Sequence, residues 1–144
     1  MPELRFGNVI IQRISHAAFR LAGGGRVVYL DPFRVPHAPK DGDVVICTHD
    51  HYDHCSPEDI RKVAKQTATI VASINCEKKV RGLGYEYKLL RPGDAVVVQG
   101  VSVRAVPAYN VGKQFHPRSY QGIGVIVELE GVTVYHAGDT DFIP

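Results

Sequence analysis

Short runs of β-branched and aliphatic residues, separated by glycine, proline and polar turns, make up most of this 144-residue chain. Runs of this length with turn residues between them are typical of β-strands. They predict strands at residues 9–13, 17–22, 27–31, 44–48, 69–72, 86–90, 95–99, 101–106, 123–128 and 132–135. The triplet Gly23-Gly24-Gly25 predicts a hairpin turn between the second and third strands. From residue 85 onward, the alternation of strands and turns predicts an antiparallel meander.

Two segments have helical patterns instead. Ser56 followed by Pro57 and two acidic residues predicts a helix start, because serine caps the first turn and proline fits it. Apolar residues then recur at helical spacing to about residue 65. A second, short helix is predicted at residues 75–81. The pattern therefore predicts a β-rich α/β chain with few helices.

Composition fits a single globular domain and argues against several classes of protein. Hydrophobic residues make up 44% of the chain and charged residues 22%, which are ordinary values. The net charge of +2 gives no reason to expect a nucleic-acid partner or an anionic membrane. No apolar run reaches the length of a membrane span, and the first residues are unlike a signal peptide. Three cysteines without C-x-x-C spacing predict free thiols in a cytoplasmic protein.

The most informative segment is His49-x-His51-x-Asp53-His54, directly after the apolar run at residues 44–47. Side chains alternate along an extended strand end, so His49, His51 and Asp53 project to the same side. His54 reaches that region if the chain turns into the predicted helix. Imidazole nitrogens with a carboxylate oxygen are donors that zinc prefers, so the motif predicts a metal site. The alternative is a histidine-rich polar loop.

This motif resembles the metal-binding motif of the metallo-β-lactamase superfamily. Two other segments agree in order, Leu30-Asp31-Pro32 before it and Tyr135-His136-Ala137-Gly138-Asp139-Thr140 after it. Together they look most similar to the branch of metal-dependent hydrolases that includes ascorbate-6-phosphate lactonase. The resemblance implies an αββα sandwich, an α/β fold of the α+β-layered kind, with metals bound at one edge. Because that fold continues well beyond the Gly-Asp-Thr segment, we expect residues 1–144 to form one domain that is incomplete at its C-terminal end. It would hold the first half of the sandwich and the start of the second.

The resemblance implies a binuclear metal site. Its predicted ligands are His49, His51, Asp53, His54, His116 and Asp139. The first two bind one metal ion, the next two bind the second, and Asp139 bridges them. A turn aspartate is the alternative for Asp139. Two zinc ions are the expected cofactor, and manganese or iron(II) is also compatible with these donors.

His116 is assigned less directly than the other ligands. Relatives carry a histidine soon after the strand matching residues 101–106, where this chain has Asn110. His116 is the only histidine in the loop at residues 107–121, so we predict it as the third imidazole of the first metal. A surface loop histidine is the alternative, and Asn110 is then a candidate hydrogen-bond donor to substrate.

Two residues are expected to support these ligands. Asp31 resembles the supporting aspartate of the family, which orients the metal loop by hydrogen bonds without binding the metal. A turn residue that ends its strand is the alternative. His136 stands close to Asp139 in the sequence and is expected near the same site. No role is predicted for His37, which lies in a proline-rich loop.

Zinc lowers the pKa of a bound water toward neutrality, which provides hydroxide to attack carbon or phosphorus. Asp53 is the predicted catalytic residue, orienting that hydroxide or accepting its proton. The sequence thus predicts a metal-dependent hydrolase acting on an ester, lactone or phosphoester of a small molecule. Lys113 and Arg118 flank His116 and suit an anionic substrate, or are solvated loop charges.

Three other functions compete with this prediction. A non-catalytic metal-binding or interaction module follows if the ligand set is incomplete. A metal-dependent nuclease is a second rival, against which the near-neutral charge argues. Diiron redox proteins of the superfamily place a glutamate where this chain has His51, and imidazole there favours hydrolysis.

A homo-oligomer is expected if a second copy covers the open face of the sheet.

Overall fold

The computed structural model describes residues 3–15, 17–50, 54–107 and 123–136. The strands in these ranges are β1 (Glu3–Phe6), β2 (Val9–Ser15), β3 (Ala18–Gly23), β4 (Arg26–Leu30), β5 (Gly42–Cys47), β6 (Ala64–Ser73), β7 (Glu86–Leu90), β8 (Ala95–Val98), β9 (Val101–Pro107), β10 (Ile123–Leu129) and β11 (Val132–His136). Helix α1 (Pro57–Val63) connects β5 to β6. A 3₁₀ turn (Ile74–Cys76) and helix α2 (Glu77–Val80) follow β6.

The first seven strands form one sheet in the order β1-β2-β3-β4-β5-β6-β7. The first four pair antiparallel, and β4 to β7 run parallel. The carboxyl ends of parallel neighbours lie at the same edge of a sheet, which is where ligands bind in open α/β sheets. Asp31 follows β4 and Thr48 follows β5, so both lie at that edge.

The remaining strands form an antiparallel sheet in the order β11-β10-β9-β8. It packs on one face of the first sheet, and buried side chains such as Leu21, Val44, Val103 and Val125 fill the space between them. The helices cover the other face of the first sheet, where a second apolar cluster includes Ile60. The described residues thus form helix, sheet and sheet layers, as the predicted sandwich requires.

The structure corrects the sequence prediction in three places. Residues 86–90 are not part of the meander, because β7 pairs in parallel with β6 and the second sheet begins at β8. Helix α1 ends at Val63, since β6 already begins at Ala64 and pairs with β5. Residues 3–6, for which no strand was predicted, form β1. In the first two cases, pairing with a strand far away in the sequence decides what local pattern does not, whereas β1 forms because it pairs with β2, the next strand along the chain.

Several large apolar side chains are exposed on edge strands and on the outer face of the second sheet. Val97 on β8 is 71% exposed, and Tyr135 on β11 is 57% exposed. The covering of this face by a second copy of the chain stays a prediction. No helix in the described ranges is long and apolar enough to cross a membrane.

Candidate metal centre

Asp31 stands at the point where the chain leaves β4, in an unusual backbone conformation. Its φ of 45° lies in the left-handed region, which aspartate tolerates better than most residues. Its N–H donates to the carbonyl of Ile46 at 2.8 Å, so this bend is fixed to β5. Backbone strain of this kind concentrates at functional sites.

The carboxylate of Asp31 is fully buried and accepts four hydrogen bonds. Oδ1 accepts the N–H of Thr48 at 2.8 Å. Oδ2 accepts the Thr48 hydroxyl at 2.8 Å, Nδ1 of His54 at 2.8 Å and Nε2 of His136 at 2.9 Å. We call these four residues the Asp31 cluster. A carboxylate offers about four lone-pair sites, so the number of donors equals the number of sites, with three of the donors on Oδ2 and one on Oδ1.

The Asp31 cluster keeps its carboxylate ionised. Burial opposes ionisation, but hydrogen bonds from His136 and His54 outweigh it and lower the pKa of Asp31 to about 2. The anion in turn favours a hydrogen on the ring nitrogen of each histidine that faces it. His136 is also held by an edge-on contact with Phe19, whose ring centroid lies 5.7 Å away. The last residue of β11 is thereby joined to the edge of the first sheet.

His49 and His54 lie with their rings against each other, with centroids 3.9 Å apart. Both are almost completely buried. Nδ1 of His54 bonds to Asp31, and Nδ1 of His49 lies 3.1 Å from Oγ1 of Thr48. In both rings Nε2 is also buried. Two adjacent imidazoles, oriented through Nδ1 by a carboxylate and a hydroxyl, fit ligands of two neighbouring divalent metal ions bound through Nε2.

Lys79 of α2 fixes the ends of the segment that carries the centre of the motif. Its ammonium donates to the carbonyl of Asp50 and, at 3.4 Å, to the carbonyl of Cys55. Sequence reasoning missed Lys79 because it stands 29 and 24 residues from these partners. It also missed Thr48, because nothing in the sequence shows which hydrogen bonds a threonine next to the motif makes.

The loop that follows Asp31 is held against α1. Asp59 accepts the N–H of Val35 at 3.0 Å, and the ammonium of Lys62 donates to the carbonyl of Val35 at 3.1 Å. Ser56 caps the helix as predicted, with Oγ accepting the N–H of Asp59 at 3.3 Å. These contacts join the loop that follows Asp31 to α1, the helix that follows His54.

Of the six predicted ligands, the structure brings His49 and His54 together. Four predicted ligands and three other loop residues lie outside the described ranges, namely His51, Asp53, His116, Asp139, Asn110, Lys113 and Arg118. Within those ranges no group of three or more His, Cys, Asp or Glu side chains is arranged to hold a metal ion. Asp31 bonds to the metal loop as predicted, and His37 lies elsewhere, lining a cavity of about 240 Å³.

The sequence model of the beta-lactamase superfamily domain matches residues 10–143. The chain belongs to the metallo-β-lactamase superfamily. A metal-dependent hydrolase of Rubrobacter xylanophilus is 36% identical over an alignment that covers 97% of this chain and 64% of that relative. One from Methanosphaerula palustris is 33% identical, over 88% of this chain and 58% of its own length. The chain thus spans about six-tenths of the length of these curated relatives.

Solved structures agree with this membership. A protein of Parabacteroides distasonis named as a metal-dependent hydrolase superposes with a TM-score of 0.83 at 33% identity, over 94% of this chain and 63% of its own. CmlA, a diiron beta-hydroxylase from Streptomyces venezuelae, has a TM-score of 0.70 at 17% identity over 94% of this chain and 30% of its own, which shows the fold alone. The predicted fold class is therefore confirmed. The narrower resemblance to ascorbate-6-phosphate lactonase stays a prediction.

Proposed function

We propose that this chain carries the metal site of a hydrolase that uses water to cleave an ester, lactone or phosphoester bond. The observation that supports this most is the pair of buried imidazoles, His49 and His54, held through Nδ1 by Thr48 and the carboxylate of Asp31. A buried anion behind neutral imidazoles raises their basicity as ligands. The names of the relatives, metal-dependent hydrolases, point to the same chemistry.

The proposed ligands are the six named from the sequence, His49, His51, Asp53, His54, His116 and Asp139. A divalent cation held by them, with zinc favoured by the donor types, supplies Lewis acidity and a nucleophilic water at neutral pH. Asp31 orients His54 by a hydrogen bond to Nδ1, and Lys79 bonds to the carbonyls of Asp50 and Cys55. We propose that Asp53 orients the attacking water and accepts its proton.

Metal analysis combined with a hydrolysis assay tests the proposal. The purified protein should bind divalent metal and cleave at least one of a panel of generic ester, lactone and phosphodiester substrates. The variant His51→Ala should lower both metal content and rate, whereas His37→Ala, away from the Asp31 cluster, should change neither. If His51→Ala keeps full metal content and rate, the proposed site is wrong.

Two outcomes would favour the rival functions. Metal binding without turnover of any substrate would favour the interaction module. Cleavage restricted to nucleic-acid phosphodiesters would favour the nuclease.

A further inference from the structure

Thr48 is completely buried and contacts three parts of the site. Both its N–H and its hydroxyl lie 2.8 Å from the carboxylate oxygens of Asp31. Its carbonyl accepts the N–H of Ile123, the first residue of β10, at 2.9 Å. Its hydroxyl oxygen also lies 3.1 Å from Nδ1 of His49. One side chain therefore joins the supporting carboxylate to a proposed metal ligand.

The single hydrogen of the Thr48 hydroxyl has one possible direction in this arrangement. Two oxygens 2.8 Å apart need a hydrogen between them, and the carboxylate of Asp31 acts only as an acceptor near neutral pH. The hydroxyl therefore donates to Asp31 and has only its lone pairs to offer His49. Nδ1 of His49 must then carry a hydrogen, because two acceptors do not form a hydrogen bond. A neutral imidazole with its hydrogen on Nδ1 has its lone pair on Nε2.

We propose that Thr48 is a positioning residue. Its hydroxyl donates to the Asp31 carboxylate and accepts a hydrogen bond from Nδ1 of His49, which holds this imidazole in the Nδ1–H tautomer. Oδ2 of Asp31 then sets the tautomer of both rings, that of His54 by a direct bond and that of His49 through the Thr48 hydroxyl. The two rings lie with centroids 3.9 Å apart and both Nε2 atoms are buried, which suits ligands of neighbouring metal ions. The consequence for metal binding rests on the proposed function, whereas the tautomer itself does not.

The tautomer can be measured directly in the metal-free protein. With ¹⁵N-labelled histidine, long-range ¹H–¹⁵N correlation spectra distinguish Nδ1–H from Nε2–H rings, at a pH well above the ordinary histidine pKa of about 6.5. The set of signals that is missing from the spectrum of His49→Asn identifies the His49 ring in the wild-type spectrum. We expect His49 to be Nδ1–H in the wild type and in Thr48→Ser, which keeps the hydroxyl. In Thr48→Val, which keeps the shape but not the hydroxyl, the Nδ1–H pattern should be lost.

Thr69→Val is the matched control. Thr69 is a buried threonine on β6 whose hydroxyl oxygen accepts a hydrogen bond from Gln99 at 3.2 Å, so its replacement also removes a buried hydroxyl. It should leave the tautomer of His49 unchanged. A wild-type spectrum with His49 as Nε2–H would overturn the inference without any variant, which covers the case in which Thr48→Val does not fold. An unchanged Nδ1–H pattern in folded Thr48→Val would overturn it as well.

Zinc affinity provides the second readout. In competition with a chromophoric chelator, Thr48→Val should bind zinc about 10- to 100-fold more weakly, as is usual when a partner of a metal-ligating histidine is lost. Thr48→Ser should restore affinity to near the wild-type value, and Thr69→Val should not change it. Equal zinc affinity of Thr48→Val and the wild type would refute the positioning role. If neither the wild type nor any variant hydrolyses a substrate, the proposed function is contradicted, whereas the tautomer result is unaffected.

Discussion

Replacing Asp31 with asparagine keeps the shape of the side chain but turns one acceptor oxygen into a donor amide. Four donors converge on the carboxylate, one on Oδ1 and three on Oδ2. The least unfavourable orientation of asparagine places its oxygen at the Oδ2 position and its amide toward the N–H of Thr48. That backbone N–H then faces another donor, and the remaining three bonds lose their charged acceptor.

The cost follows from these four contacts. A buried N–H left without an acceptor costs about 1–3 kcal/mol, and a bond to a charged group contributes roughly 1 kcal/mol more than a neutral one. With partial relief from removing a buried charge, the sum is about 3–5 kcal/mol, which is also usual for breaking a buried charged network. We therefore expect Asp31→Asn to lower the free energy of unfolding by about 4 kcal/mol at neutral pH.

The same carboxylate predicts an acid-dependent loss of stability. Its pKa is lowered from 3.8 to about 2 on folding, which corresponds to about 2 kcal/mol. Because the folded state has the lower pKa, this contribution is present above pH 4 and is lost as the pH falls toward 2. Asparagine does not titrate, so the variant should lose less stability in that range. The pH effect is smaller than the substitution effect because a protonated acid still presents an acceptor oxygen.

Urea unfolding of the metal-free protein, in the presence of a chelator, measures both effects. With a slope of about 2 kcal/mol/M, a loss of 4 kcal/mol moves the midpoint by about 2 M urea. Asp94→Asn is the control, since Asp94 is exposed and its carboxylate accepts the N–H of Arg91 at 2.8 Å. It should change stability by no more than about 0.5 kcal/mol. A loss below 1 kcal/mol for Asp31→Asn, or an acid profile equal to that of the wild type, would refute the reasoning.

Two further predictions concern the surroundings of the site. Lys79→Met removes the ammonium that bonds to the carbonyls of Asp50 and Cys55, so zinc affinity in chelator competition should fall by about tenfold. The same change at exposed Lys88 should have no effect, and equal affinities would show that Lys79 does not shape the motif. All three cysteines are buried, and a hydrogen bond with Cys55 together with burial raises the pKa of the Cys76 thiol. A thiol reagent should therefore modify the protein only after unfolding, and rapid labelling of the native protein would contradict this.

The sequence alone predicted the elements that depend on interactions between residues close together in the chain. The Gly24-Gly25 turn, the serine cap of α1 and the strands around the motif follow from backbone freedom, side-chain capping and β-branched composition. Strand β7 was assigned to the wrong sheet because its composition fits either sheet, and only the parallel pairing with β6 decides between them. The contacts of Lys79 were missed for a similar reason, since its partners are far away in the sequence.

The sequence by itself determined which superfamily this protein belongs to and which residues are candidate metal ligands. The histidines and carboxylates of the motif, placed after an apolar strand, indicate a metal site and the superfamily without any coordinates. Only the tertiary structure decided how those groups are oriented. Asp31 and His136 are 105 residues apart in the chain, yet they share a hydrogen bond, because β4 and β11 end at the same edge of two packed sheets. Ring orientation and tautomer depend on such long-range contacts, since an isolated histidine has no partner to fix either one.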